Sequence, residues 1–403
     1  MFNAIYSGLS GLTAFSKGLD VISDNVSNLN TPGYKGNDLI FQDIFYRYQL
    51  NSGADGYSLG ANMGGGVDAS VTKLRLSQGD IRSTDVATDV AIDGNGFFVI
   101  RKGDEIFYTR GGQFEFNDDG ILVARGDENQ IVMGLDENGK LRQIDINALR
   151  TSPPKATSNI SFKNVLSTAT ETHEIPDIEI FDVAGNKHKL KLILTHDEAN
   201  NWIVEVKDDK DEVIATRGEI HFSGDGTPTE GFNTFTFEYK PENLEGNEIT
   251  LNFGTPGSYS GVRSLSGAVD ATNIEVDKVD GYDVGGLKEV TFEADGSMVL
   301  NYTNGNTEDF LSLALARVDN LGSLRQIGDN LFMVAESEQP VISAAAHNGL
   351  GDIVGKSIEL SNVELTQQFT DLIVVQRGYQ ASSQILTVSN EMLQQLLETM
   401  NRK

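Results

Sequence analysis

Both ends of this chain carry apolar residues at alternating spacings of three and four, and that pattern restricts the termini to helices that bury a seam against other helices. Near the start the stripe is Phe2, Ile5, Leu9, Leu12, Leu19 and Val26. Near the end it is Leu365, Phe369, Leu372, Tyr379, Leu386, Leu393, Leu397 and Met400, with polar Gln376, Ser383 and Asn390 on the same line. The spacing predicts a first helix over about residues 3–27. Asn28, Pro32 and Gly33 then stop it, because asparagine and glycine tolerate the left-handed conformation and proline cannot continue a helix.

Charge separates these ends from the rest. The 403 residues carry a net charge of −28, yet residues 1–30 and 363–403 each sum to −1, leaving −26 between them. Nearly neutral ends can pack against copies of themselves while an acidic body stays solvated. So acidic a balance argues against nucleic-acid binding. No apolar run is long enough to span a bilayer, and the N-terminus has no signal-peptide pattern, its first cation being Lys17. The absence of cysteine excludes disulfides and thiol chemistry.

Between the ends the pattern is that of strands. Residues 31–70 read as a connecting segment in which Gly53 to Gly66 contains six glycines and suggests a mobile link. Residues 86–100 alternate and then run apolar around Asp93-Gly94-Asn95-Gly96, and hairpin signals follow at Asp118-Asp119-Gly120 and Glu137-Asn138-Gly139. Pro153-Pro154 marks a boundary, beyond which short strands fall near 178–181, 189–194, 202–206, 235–239 and 249–253. Strands resume at 289–292, 297–302 and 311–318. The expected architecture is multidomain. Terminal α-helices (1–30 and 363–403) form a coiled-coil-like axial domain; an inner β domain (71–147 and 285–362) receives an outer, inserted β domain (148–284).

Catalytic, cofactor and metal constellations are not expected. Gly351-Asp352-Ile353-Val354-Gly355-Lys356-Ser357 resembles a phosphate-binding loop but has three residues between its glycines where four are needed. A nucleotide-binding protein is therefore the alternative from a different functional class. Gly94-x-Gly96 lacks the third glycine of a dinucleotide fingerprint. Asp93, Asn95, Asp118 and Asp119 do not complete a calcium series, and the five histidines, His173, His188, His196, His221 and His347, have no metal-ligand spacing.

Four stretches, in order, carry a family resemblance. The first runs from Ser7-Gly8-Leu9 through Asn25, Asn28, Thr31, Gly33 and Tyr34, and the second contains Gly94, Gly96, Phe97 and Phe98. The third is Tyr108-Thr109-Arg110-Gly111-Gly112-Gln113-Phe114, and the fourth contains Gln376, Arg377, Tyr379 and Gln380. Together they resemble the bacterial flagellar rod and hook axial proteins. A chain of this length with an outer insertion resembles the hook-type members, with a distal rod protein of the basal body as the alternative. The resemblance implies a structural subunit, not an enzyme, that polymerises with copies of itself into a flexible tubular joint passing motor torque from rod to filament. It implies an extracellular location in the flagellum, reached through the flagellar export apparatus without a cleaved leader. The implied partners are the distal rod protein, a hook cap protein and the hook–filament junction protein, with no nucleic acid, no membrane insertion and no cofactor. The terminal stripes would then be the axial polymerisation helices.

Overall fold

The computed structural model describes residues 2–44, 47–48, 62–63, 66–197, 201–241, 246–265, 272–335 and 338–401. Most of the glycine-rich link at 53–66, and the side chains of Phe2 and Met400, lie outside the described residues. The chain divides into two compact units. One comprises Met1–Asn147, Val290–Val299 and Asp309–Lys403; the other comprises Ala148–Glu289 and Leu300–Glu308.

The first unit contains both long helices, α1 (Phe2–Ser27) and α2 (Leu365–Asn401). Proline is absent from both, and α1 stops where the sequence predicts. The Asn28 backbone N–H and side-chain amide both donate to the Asp24 carbonyl, and Gly33 follows at φ +71°. Strands Asn37–Asp43 and Val67–Leu74 pair antiparallel and lie against α1.

The β core of this unit is built around Phe97–Lys102. That strand pairs with Glu105–Thr109 through a two-residue turn at Gly103, and with Asp127–Leu135 and Leu315–Arg317. Phe97, Phe98, Val99 and Ile100 are all buried, so the strand is covered on both faces. Phe97, Val99, Tyr108, Met133, Leu135, Ala316 and Phe332 form one apolar cluster. The signals at 118–120 and 137–139 each close an antiparallel pair, Leu122 opposite Phe116 and Leu135 opposite Leu141. Asp93 to Gly96 does something else. It carries the chain from one pairing into another, because Val90–Asp93 pairs with Asp352–Gly355 and not with Phe97–Lys102. Gly94 and Gly96, at φ +116° and +129°, supply backbone conformations that residues with a Cβ rarely adopt.

The second unit has two sheets with one shared core. Thr172–Phe181, Lys187–His196, Asn201–Lys207 and Val213–His221 form an antiparallel meander. In the other sheet, Asn159–Ser167 lies parallel to Asn247–Asn252 and Val262–Leu265, and antiparallel to Glu275–Val279. Burial alternates along Lys187–His196 and Asn201–Lys207, as expected when one face meets a core and the other meets water. Ile160, Phe162, Leu192, Trp202, Val204, Ile249 and Phe253 fill the space between. The strands expected from sequence are present. Asn159–Ser167, Val213–His221, Val262–Leu265 and Glu275–Val279 join them without having been anticipated.

Candidate assembly surface: the terminal helix pair

α1 and α2 run antiparallel and approach closely because their contact line is made of small residues. Gly8 meets Ile385 and Leu386, Gly11 meets Ser382, Gly18 meets Val375, and Phe15 sits over Gly378. At the far end Asn25 donates to the Gln368 side-chain oxygen at 3.0 Å. The buried positions are Gly8, Gly11, Ala14, Gly18, Ile22 and Asn25 on α1, against Gln368, Val375, Ser382 and Ser389 on α2.

The buried lines of the pair do not coincide with the apolar stripes. On α1 the buried line falls one residue before the apolar stripe, at 8, 11, 18 and 25 in place of 9, 12, 19 and 26. On α2 the buried heptad is 368, 375, 382 and 389, so Gln376 and Asn390 are exposed and Ser383 is half-buried. Their polarity does not interrupt the pair. The polar residues that do lie inside it are Gln368, Ser382 and Ser389 on α2 and Asn25 on α1.

The large apolar side chains described along the stripes are consequently exposed or only half-buried. Leu9 is exposed on α1, while Ile5, Leu12, Leu19 and Val26 are half-buried. On α2, Leu365, Phe369, Tyr379 and Leu397 are exposed, together with Ile373, Val374, Ile385, Val388, Met392 and Leu396. Leu372, Leu386 and Leu393 are half-buried, and Leu386 meets Gly8. Exposed apolar side chains in this number along one helix are unusual for a surface that meets only water.

A buried polar knot ties the helix pair to the β core. The Asn25 side chain accepts from the Asn37 N–H at 2.9 Å and donates to the Asn37 carbonyl at 2.8 Å. Tyr34 donates to Asp24 at 3.1 Å, and burial, then the Asp24 charge, push its phenol up to about 12. Asn362 accepts from Gly36 N–H and donates to the Arg75 and Ser77 carbonyls. At the centre stands Glu359, whose side chain is fully buried. It accepts from Lys35, from Arg110 at 3.2 Å and from the Gly79 N–H at 2.9 Å. Burial pushes both cations down from their ordinary range and the Glu359 charge pulls each back. Arg110 also donates to the Gly94 carbonyl at 2.7 Å and lies 5.3 Å from the centre of the Phe97 ring.

The resembling residues therefore fall into three groups. Asn25, Asn28, Thr31, Gly33 and Tyr34 form the turn under α1, where Thr31 donates to Asn28 and the Gly33 N–H donates to the Glu359 carbonyl. A Cβ on Gly33 would lie 2.4 Å from the Gly111 nitrogen. Gly94, Gly96, Phe97 and Phe98 build the adjoining bend and core. Gln376, Arg377, Tyr379 and Gln380 face outward from α2. Sequence reasoning missed Lys35 and Glu359 as partners. They are 324 positions apart, and an isolated charge in an acidic chain gives no signal of burial.

The 351–357 string lies in strands Asp352–Gly355 and Ser357–Glu359, paired with Val90–Asp93 and Ile81–Ser83. A phosphate-binding loop must open onto a helix, and none follows there. No cluster of metal-ligating side chains occurs among the described residues, and no described helix is long and apolar enough to cross a membrane.

Comparison with known proteins gives one consistent likeness. The family model described as Flagellar basal body protein FlaE D2 domain matches residues 154–371. Flagellar hook protein FlgE/F/G D1 domain matches 91–163, Flagella basal body rod protein matches 5–35, and Flagellar basal body rod FlgEFG protein C-terminal matches 354–399. The flagellar hook protein FlgE of Borreliella burgdorferi is 30% identical, with 100% of both chains covered. Those of Treponema pallidum and Escherichia coli are 27% and 26% identical, each over 98% of this chain and 99% of the relative. The crystal structure of Helicobacter pylori flagellar hook protein FlgE2 superposes with a TM-score of 0.51 at 14% identity. It covers 69% of this chain and 100% of that one, a likeness of fold.

Proposed function

The chain belongs to the bacterial flagellar hook protein family, and from that premise we propose that its terminal helices are the contacts by which copies join. It is a structural subunit of the flagellar hook, located there and polymerising with itself. The observation that supports the helical contact is the division of labour on α1 and α2. Glycines and serines let the pair close within one chain against Phe15, Val375 and Leu386, and many other large apolar residues remain exposed outside it.

Each exposed Leu or Phe buried on assembly contributes roughly 1.5–3 kcal/mol before entropic costs. A front-to-back contact of unlike surfaces propagates as an open helix. The axial helices thereby make a torsionally stiff tube. The second unit, an outer domain inserted in the inner one, meets its neighbours through wet polar surfaces that slide as the hook bends. In this reading the subunit has no catalytic role. It leaves the cell through the flagellar export apparatus and adds beneath a hook cap, with the distal rod protein below and the hook–filament junction protein above.

Electron microscopy of tubes assembled from the purified chain tests this. Short curved tubes are expected. Straight tubes would favour a rod role, and persistent monomers would contradict both.

A further inference from the structure

Asparagine stands directly before glycine four times in this chain, at Asn95-Gly96, Asn138-Gly139, Asn304-Gly305 and Asn348-Gly349. Such an asparagine can lose its side-chain amide, because the following N–H, once deprotonated, attacks the side-chain carbon and glycine has no Cβ to hinder the approach. The fold treats the four N–H groups differently. Gly139 N–H donates to the Asp136 carbonyl at 2.8 Å and Gly305 N–H to the Tyr302 carbonyl at 3.1 Å. Gly96 is buried. Gly349 is exposed, and among the described residues no acceptor takes its N–H.

The turns explain the difference. Leu350 N–H donates to the His347 carbonyl at 3.0 Å, and Asn348 and Gly349 between them lie at φ +53° and +76°. They are the two central residues of a turn whose left-handed conformations favour Asn-Gly. The bond that closes this turn belongs to Leu350, so Gly349 N–H is left outside it. At 138 and 304 the glycine is the last residue of the turn and makes the closing bond itself. Two side chains meet Asn348. Arg317 donates through Nη1 to the Asn348 carbonyl oxygen, while its Nε holds Asp319 at 2.9 Å. Ser343 Oγ accepts from Asn348 Nδ2 at 3.1 Å.

We propose that Asn348 is a site of spontaneous deamidation, with hydroxide and water as the reagents. Hydroxide takes the Gly349 N–H proton, and the negative charge spreads onto the Asn348 carbonyl oxygen, where the Arg317 guanidinium stabilises it. The Gly349 nitrogen bonds to Asn348 Cγ, the Cγ–Nδ2 bond breaks, and Nδ2 leaves as ammonia with a proton from water, which regenerates hydroxide. Water then opens the cyclic imide. Breaking its bond to Cγ leaves aspartate, and breaking its bond to the backbone carbonyl carbon leaves an isoaspartyl link. Either route consumes one water and releases one ammonia. A neutral amide thereby becomes a carboxylate beside Arg317, in the connection from strand Val341–Ser343 to strand Asp352–Gly355. The second of these pairs with Val90–Asp93, so the isoaspartyl form, with its longer backbone, alters the approach to the β core. The inference does not depend on how copies join.

Peptide mapping by mass spectrometry tests this on the folded, full-length chain held in mildly alkaline buffer. Conversion of amide to acid is expected at Asn348 roughly tenfold faster than at Asn95, Asn138 or Asn304, whose glycine N–H groups need local opening first. In denaturant the four rates should converge, which separates the effect of the fold from that of the dipeptide. Arg317→Gln is expected to slow conversion at Asn348 severalfold and to leave the other three sites unchanged. A folded chain that loses the amide at Asn348 no faster than at the other three pairs overturns the proposal. A gap between the sites that persists in denaturant overturns its structural cause.

Discussion

The ring of Phe15 in α1 occupies the space that a Cβ on Gly378 of α2 would need: such an atom would lie 2.4 Å from the ring carbon Cζ. Phe15 cannot easily retreat, because its other side meets Phe41 with ring centroids 5.6 Å apart. Gly378→Ala is therefore expected to push the helices apart and cost about 1–3 kcal/mol by overpacking. Chemical denaturation followed by far-ultraviolet circular dichroism checks this. An unchanged helical transition would show that the seam yields without cost.

Which parts were legible in the sequence follows from what a seam can be made of. Periodicity searches find large apolar side chains, and on α1 and α2 these mark the surface left for other molecules. The contact within the chain sets a small residue at each crossing, Gly8 against Leu386, Gly11 against Ser382, Gly18 against Val375 and Gly378 against Phe15, and those small side chains carry little hydrophobic signal. Spacings of three and four among α1's glycines and alanine, or of seven from Gln368 to Ser389, would have located it. Hairpins with Gly at the turn were readable because the turn chemistry is local. The pairing of Val90–Asp93 with Asp352–Gly355 was not, since it depends on residues more than 250 positions apart.

Glu359 offers a second test. Its carboxylate is shared by Lys35 and Arg110, and its side chain and both cations are buried. Glu359→Gln leaves two buried cations without their counter-charge, an arrangement expected to cost roughly 3–5 kcal/mol. The loss is read as a fall in the denaturation midpoint of the helical transition. Lys35→Met in the same chain should recover part of it, and a double variant no more stable than Glu359→Gln would argue against the pairing.

Acid sensitivity of the second unit should trace to Asp182. Burial raises the carboxyl, but the His188 ring at 2.9 Å and the N–H groups of Asn186 and Ala184 outweigh it and hold it at about 2. A carboxyl depressed in the folded state adds stability that is present above its ordinary value near 3.8 and is lost as pH falls through about 2. Trp202, the single tryptophan, is buried in this unit's core, so its fluorescence follows the loss. Asp182→Asn should flatten the dependence between pH 4 and 2 and lower stability at neutral pH by about 1–3 kcal/mol through unpaired donors.

The central claim is that the exposed apolar faces of the terminal helices join one subunit to the next, and Phe369 tests it most directly. Its side chain is half exposed on α2 and faces away from the seam at Gln368. Phe369→Asp should leave the helix content and melting of the free chain unchanged while raising the concentration needed for tube formation at least tenfold, measured by sedimentation and electron microscopy. Normal tubes at the wild-type concentration would contradict the account.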